Sequence, residues 1–319
     1  MDNRKMVTNW LEKCDREGIL PWEYDFKKEV FNQKSWSPSF SENFVKRILE
    51  KDGGFYGDLN KVYETEDSML MQAVYHILWG TYSKNIIGED KGDCDADVMN
   101  SFWMIFKYFV FNKCSDFFEY EVNGIKYKIF PNLTPFNQNN QENIDLLNYY
   151  KKYGAKNGIS WKQLILKNYE TPFFEELRNN ENIHNFAKLT HTIGNYTLEP
   201  KGFNAGYIEG TNIYHNDNSY TWSQALDNLK EVDWENKKHL DCDSWEKYFR
   251  DFYMHVYETP YPYAKDSNQD DFLKKVNRAI RLRGMFMTKI LCEKLNLESL
   301  NFYTDLLNDK ELEIFKNER

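Results

Sequence analysis

Two runs of alternating residues, Phe117-Phe118-Glu119-Tyr120-Glu121-Val122 and Ile125-Lys126-Tyr127-Lys128-Ile129-Phe130, flank the pair Asn123-Gly124. No other stretch limits the local fold as sharply. Asn-Gly readily takes the positive φ angles that a two-residue hairpin turn needs. The alternation predicts antiparallel pairing over 117–130, with Glu119 and Glu121 facing Lys126 and Lys128 on one solvated face. Pro131 and Pro135 end the second strand, because proline has no amide to donate to a ladder.

Around this element the pattern is helical. Thr8 to Gly18 reads as a short capped helix, and Ser41 caps a second that Gly53-Gly54 stops. Met69 to Trp79 and Val98 to Phe111 carry apolar residues at helical spacing. Further helices are expected at 140–153, 160–178, 219–231, 243–258, 268–296 and 298–316. The predicted class is α+β, predominantly α-helical with a small antiparallel hairpin. The Asn-rich stretch 132–143 reads as a loop. It divides a helical N-terminal part, 1–135, from a helical C-terminal part, 136–319, unless the two form one continuous domain. There is no internal repeat.

Aromatic residues make up 17% of the chain and apolar residues 41%, which excludes a disordered protein. The net charge of -9 gives no global attraction to nucleic acid or anionic lipid, although a local basic patch stays open. Five cysteines, at 14, 94, 114, 242 and 292, form no CxxC pair, so reduced thiols in a cytoplasmic protein are expected. The longest apolar run, 102–111, is broken by Lys107 and is too short to span a bilayer, and the first residues lack an apolar signal core. No membrane partner is expected. The abundance of Asn and Lys correlates with AT-rich bacterial or phage genomes.

The densest polar constellation is His191-Thr192-Ile193-Gly194-Asn195-Tyr196-Thr197-Leu198-Glu199-Pro200, followed by Asn204 and Gly206. Gly194 offers backbone freedom, the Asn195 amide can donate and accept within a turn, and Thr197-Leu198 suits a short strand ended by Pro200. The string Thr-Ile-Gly-Asn, a short strand, a proline and a downstream Asn resembles an uncharacterised bacterial and phage family. The likeness extends toward Trp222-Ser223-Gln224-Ala225-Leu226 and the aromatic stretch 245–257. That family carries an Arg two residues after the downstream Asn, where this chain has Gly206. The resemblance implies kinship and no mechanism.

The same segment is similar to the second half of HNH-type endonuclease motifs. That resemblance implies a divalent metal, Mg or Mn, near Asn204, a base-orienting Asn195, and His191 or His184 as general base. The Asp-His pair of those motifs is absent. The competing reading is structural: a tight turn in which His191 is hydrogen-bonded to backbone.

Arg250-Asp251-Phe252-Tyr253-Met254-His255 resembles the Arg-polar-x-x-x-His signature of HEPN ribonucleases. There the Arg stabilises phosphate charge and the His moves protons without metal, so Arg250 and His255 join the candidate catalytic residues. Arg178-Asn179 with His184 is a looser variant. The competing reading places His255 at the edge of an aromatic core.

Two acidic clusters, Asp93-Cys94-Asp95-Ala96-Asp97 and Asp241-Cys242-Asp243, are read as stabilising the N-termini of the helices that follow. Lys274, Lys275, Arg278, Arg281 and Arg283 recur at spacings that put several on one helix face. They form either a phosphate-binding stripe or a solvated face paired with Asp266, Asp270, Asp271 and Glu293. Tyr257 with Pro260-Tyr261-Pro262-Tyr263 reads as a stiff aromatic loop, either a docking surface or a lid on the core.

Three function classes follow. The chain binds a partner protein or a nucleic acid, with phage–host conflict (antiviral defence or counter-defence) as a setting. It is a nuclease of the HNH-like or HEPN-like kind. Or it binds a small molecule or nucleotide. The sequence favours binding, keeps the nuclease as the alternative, and leaves the oligomeric state open.

Overall fold

A computed structural model of the protein describes residues 2–26, 68–80, 94–98, 119–122, 125–128, 172–200, 229–230, 232–237, 239–257 and 269–315. The expected helices at 41–49 and 140–153, the expected helix 98–111 beyond Val98, the Asn-rich loop and the 260–263 aromatic loop lie outside these residues. So do the turn Asn123-Gly124, Asn204, and the stretches flanking Trp222.

The described part is mostly helical. Its helices are α1 (Asn3–Glu17), α2 (Met69–Trp79), α3 (Pro172–Asn179), α4 (Glu181–Leu189), α5 (Trp234–Lys237), α6 (Trp245–Asp251), α7 (Gln269–Leu295) and α8 (Asn301–Asn308). Its strands are β1 (Cys94–Val98), β2 (Glu119–Val122), β3 (Ile125–Lys128) and β4 (Tyr196–Pro200). β2 and β3 run antiparallel with Glu119 opposite Lys128 and Glu121 opposite Lys126. β1 pairs antiparallel with β4, Cys94 opposite Pro200 and Val98 opposite Tyr196.

Local chemistry explains where the helices begin and end. Asp2 accepts from the Arg4 amide at 2.9 Å, so α1 starts five residues before the expected Thr8. Gly18 closes α1 at φ 67, in the left-handed region that glycine enters without strain. Ser68 caps α2 by accepting from the Met71 amide at 3.3 Å. Some ends are satisfied from other elements. Lys294 Nζ donates to the Ile77 and Leu78 carbonyls at the end of α2, at 3.1 and 2.9 Å. Asp15, near the end of α1, accepts from the Asn301 amide at the start of α8 at 2.7 Å.

One core cluster runs from Val7 to Leu312. Both expected parts of the chain contribute to it. α1 supplies Val7, Trp10, Leu11 and Cys14, all on one helical face. Helix α7 is the axis: at 27 residues it is about 40 Å long. Through its middle it is covered almost all the way round, with Ala279, Ile280, Leu282, Arg283, Met285, Met287 and Thr288 buried.

Three expectations are corrected here. Residues 94–98 form a strand, so the acidic cluster does not cap a helix at that point. The helix expected over 243–258 ends at Asp251. Phe252 caps it, Tyr253 turns to φ 59, and His255 opens a separate short 3-10 turn. The C-terminal helix expected over 298–316 ends at Asn308. Asp309 there is extended, and its carboxylate caps the following 3-10 turn through the Glu311 amide at 2.8 Å.

Candidate functional site

The 191–200 segment is a buried junction. Every residue from Thr190 to Pro200 is buried. Helix α4, capped at its start by Asn180, feeds into it and ends in a cluster of hydroxyl and amide bonds. Thr190 Oγ1 donates to the Phe186 carbonyl at 3.0 Å, and Thr192 Oγ1 donates to the Leu189 carbonyl at 2.8 Å. Asn195 Nδ2 donates to the Thr190 carbonyl at 2.8 Å. These bonds occupy carbonyls that a helix end leaves open. The amide of Asn195 therefore holds the turn.

His191 Nδ1 lies 2.9 Å from the Tyr196 hydroxyl, the two rings enclosed together. The backbone of the same histidine is also used: its carbonyl accepts from the Phe26 amide at 3.0 Å. Gly194 does not sit in the left-handed region. Its lack of a side chain serves close approach instead. A Cβ there would collide with the Ile280 carbonyl and lie 2.7 Å from the Gly284 nitrogen of α7.

Arg283 completes the junction. The sequence put it in a basic series, either a phosphate-binding stripe or a solvated face, but it is 0% exposed. Its guanidinium donates to the Gly194 carbonyl at 3.0 Å, to the Tyr196 carbonyl, and to the Phe252 carbonyl at 2.9 and 3.2 Å. A fully buried charge is costly unless each donor finds an acceptor, and the rigid guanidinium fork meets three carbonyls from two segments. Tyr248 reinforces the contact by donating to the Leu198 carbonyl at 2.8 Å. Burial and the nearby Glu199 push its phenol well above the usual range. Burial likewise pushes the Tyr253 phenol up to about 12.

Arg250 and His255 have surroundings of their own. Arg250 is exposed on α6 and pairs with its neighbour Asp251 at 3.4 Å. His255 is buried, flanked by Phe249 and Phe315 at ring distances of 5.5 Å each. One residue thus faces solvent and the other the aromatic core, with the end of α6 between them. No group of three His, Cys, Asp or Glu able to hold a metal ion occurs among the described residues. His184 lies on α4, partly buried.

The sequence reading missed Gly284 and Tyr248 and gave Arg283 a different role. A signal for Arg283 was available. Val276, Ile280, Arg283, Met287 and Leu291 recur at spacings of three and four, which puts the arginine on the apolar stripe of α7. Reading it with Arg278 and Arg281 as one basic face overrode that phase.

A second site lies where α4 packs beside α7. A cleft of about 580 Å³ opens there, floored by Leu189, Leu282 and Met285. Lys188, Lys274, Arg278 and Arg281 line it, together with Glu23, Asp25, Asp309 and Glu311. Arg278 is paired with Glu311 at 3.0 Å, and Arg281 approaches Glu23 at 3.8 Å. Asn277 stands in the wall. Its Nδ2 donates to the Asn182 carbonyl at 2.9 Å, while its Oδ1 is buried and has no hydrogen-bond partner among the described residues.

No helix among the described residues is long and apolar enough to cross a membrane. Comparison with known proteins adds no kinship: no family model matches the chain, and neither the curated proteins nor the solved structures contain a match.

Proposed function

We propose that the protein acts by binding a polypeptide partner through the cleft between α4 and α7, within a mainly helical α+β frame that includes the 117–130 hairpin. The observation that carries this reading is the charge pattern of the cleft. Four cations and four carboxylates line the cleft together with an apolar floor. A nucleic-acid strand laid there would meet as many carboxylates as cations, whereas a polypeptide can present both signs in register. The apolar floor suits a partner side chain, and the polar rim supplies register. A bacterial or phage protein working in the cytoplasm, in conflict between phage and host, fits this mode of action.

The nuclease alternative has less support. Of its residues, His191 and Asn195 are engaged in holding a turn, and His255 is packed between two aromatic rings. The deciding experiment pairs two assays. Immobilised wild-type protein and a Lys188→Glu/Lys274→Glu variant are exposed to the same host lysate, and retained proteins are identified by mass spectrometry. A partner retained by the wild type and lost by the variant supports the reading; equal retention overturns it. In parallel, RNA and DNA are incubated with the protein under magnesium, manganese or chelator. Metal-dependent cleavage restores the HNH-like reading, and metal-independent RNA cleavage the HEPN-like one.

A further inference from the structure

Resting on the cleft reading above, we infer that its occupant is a short acidic segment of the partner, in extended form, with a carboxylate seated between Lys188 and Lys274. Arg278 and Arg281 are engaged by Glu311 and Glu23. Lys188 and Lys274 also line the cleft, both exposed, and neither is drawn into an ion pair among the described residues. They come from different helices, α4 and α7, so a carboxylate between them bridges the two walls. Four carboxylates line the same cleft and repel a continuous polyanion. The acidic group must therefore be local, flanked by neutral or basic positions.

Asn277 supplies the second contact. Its Oδ1 is an acceptor with no donor among the described residues, at a wall whose other amide group is already fixed to Asn182. An unmet buried acceptor is unfavourable until a donor reaches it. The donor that recurs along any extended peptide is the backbone N–H, so Asn277 reads main chain while the lysines read the carboxylate. Exposed lysines are good receptors for this purpose, since they remain hydrated until the partner arrives and add on-rate as well as register.

The test uses the full chain and a fluorescent peptide with a single glutamate flanked by glycine and serine, acetylated and amidated, with an analogue N-methylated along its backbone. Anisotropy measures binding, and a zero-length carbodiimide couples bound carboxylates to the lysines they touch. The expected result is coupling at Lys188 and Lys274 in preference to the exposed Lys230 and Lys310. Affinity should fall at least about tenfold in Lys188→Glu/Lys274→Glu and in Asn277→Leu, and for the N-methylated analogue. Uniform coupling over surface lysines, equal affinity for the N-methylated peptide, or displacement by inorganic phosphate at equal concentration overturns the inference. If the peptide fails but the lysine reversals still release the lysate partner, the cleft reading stands and the acidic-segment inference falls. If the reversals leave that partner bound, both fall.

Discussion

Gly194 and Gly284 meet backbone to backbone where the buried turn crosses α7, with the Gly284 nitrogen 2.7 Å from the position a Gly194 Cβ would take. The contact is asymmetric. A Cβ on Gly284 would find the Trp22 Cβ at 3.0 Å and the Gly194 nitrogen at 3.3 Å, distances that small shifts relieve. A Cβ on Gly194 meets helix backbone, which cannot swing aside. Gly194→Ala is therefore expected to cost about 3 kcal/mol or more, and Gly284→Ala roughly half of that. Equilibrium denaturation by urea, compared at constant m-value, checks the order; equal losses would contradict the geometry.

Arg283 gives the sharpest contrast on a single helix. Arg283→Met keeps the length of the side chain but strips donors from the carbonyls of Gly194, Tyr196 and Phe252. Orphaned buried acceptors cost about 1–3 kcal/mol each, so the protein should lose several kcal/mol or fail to fold. Arg281→Gln, two residues away and exposed, should stay within about 0.5 kcal/mol of wild type. Thermal and urea unfolding of the two variants side by side provide the measurement.

His191 and Tyr196 should be energetically coupled. Their 2.9 Å contact is buried, so the double-mutant cycle of His191→Ala and Tyr196→Phe is expected to give an interaction energy of about 1 kcal/mol. Additive effects would show that the histidine serves something other than this bond.

The thiols predict an alkaline limit. Burial is the largest cause raising Cys242 from 9.0 to about 11 and Cys292 from 9.0 to about 12. A proton held more tightly folded than unfolded adds stability that is complete below about pH 9 and is lost as pH rises through 11 and 12. Urea midpoints should hold steady up to pH 9 and fall above it. Alkylation mapped by mass spectrometry should leave Cys14, Cys242 and Cys292 unmodified in the native state and label them in denaturant.

The legible parts of the sequence were those governed by local rules. Helix α2 lies where apolar periodicity put it, over Met69–Trp79, and α7 departs from the expected 268–296 by one residue at each end. β4 occupies the short strand expected from Thr197-Leu198 and Pro200. What failed to read through was decided by distant partners. Residues 94–98 pair with a strand 100 positions away, so their acidic composition gave no hint of it. Arg250 and His255 read as a pair by spacing, yet Tyr253 at positive φ separates their surroundings. Gly194 looked like a turn glycine, but its partner is a glycine in another helix.

That dependence on distant partners has a consequence for the newly made chain. Arg283 and Gly194 are 89 residues apart, and the donors that quench the turn's carbonyls sit on the later element. During synthesis the 190–200 segment emerges with its strand partner already made but its arginine still untranslated. The segment must wait, its carbonyls hydrated, until α7 has left the ribosome. The last third of the chain thus seals a site written in the middle third, and a ribosome stalled between the two would display an open junction. Limited proteolysis of such stalled chains, with cuts near 191–200 vanishing once residue 295 is exposed, would time the closure.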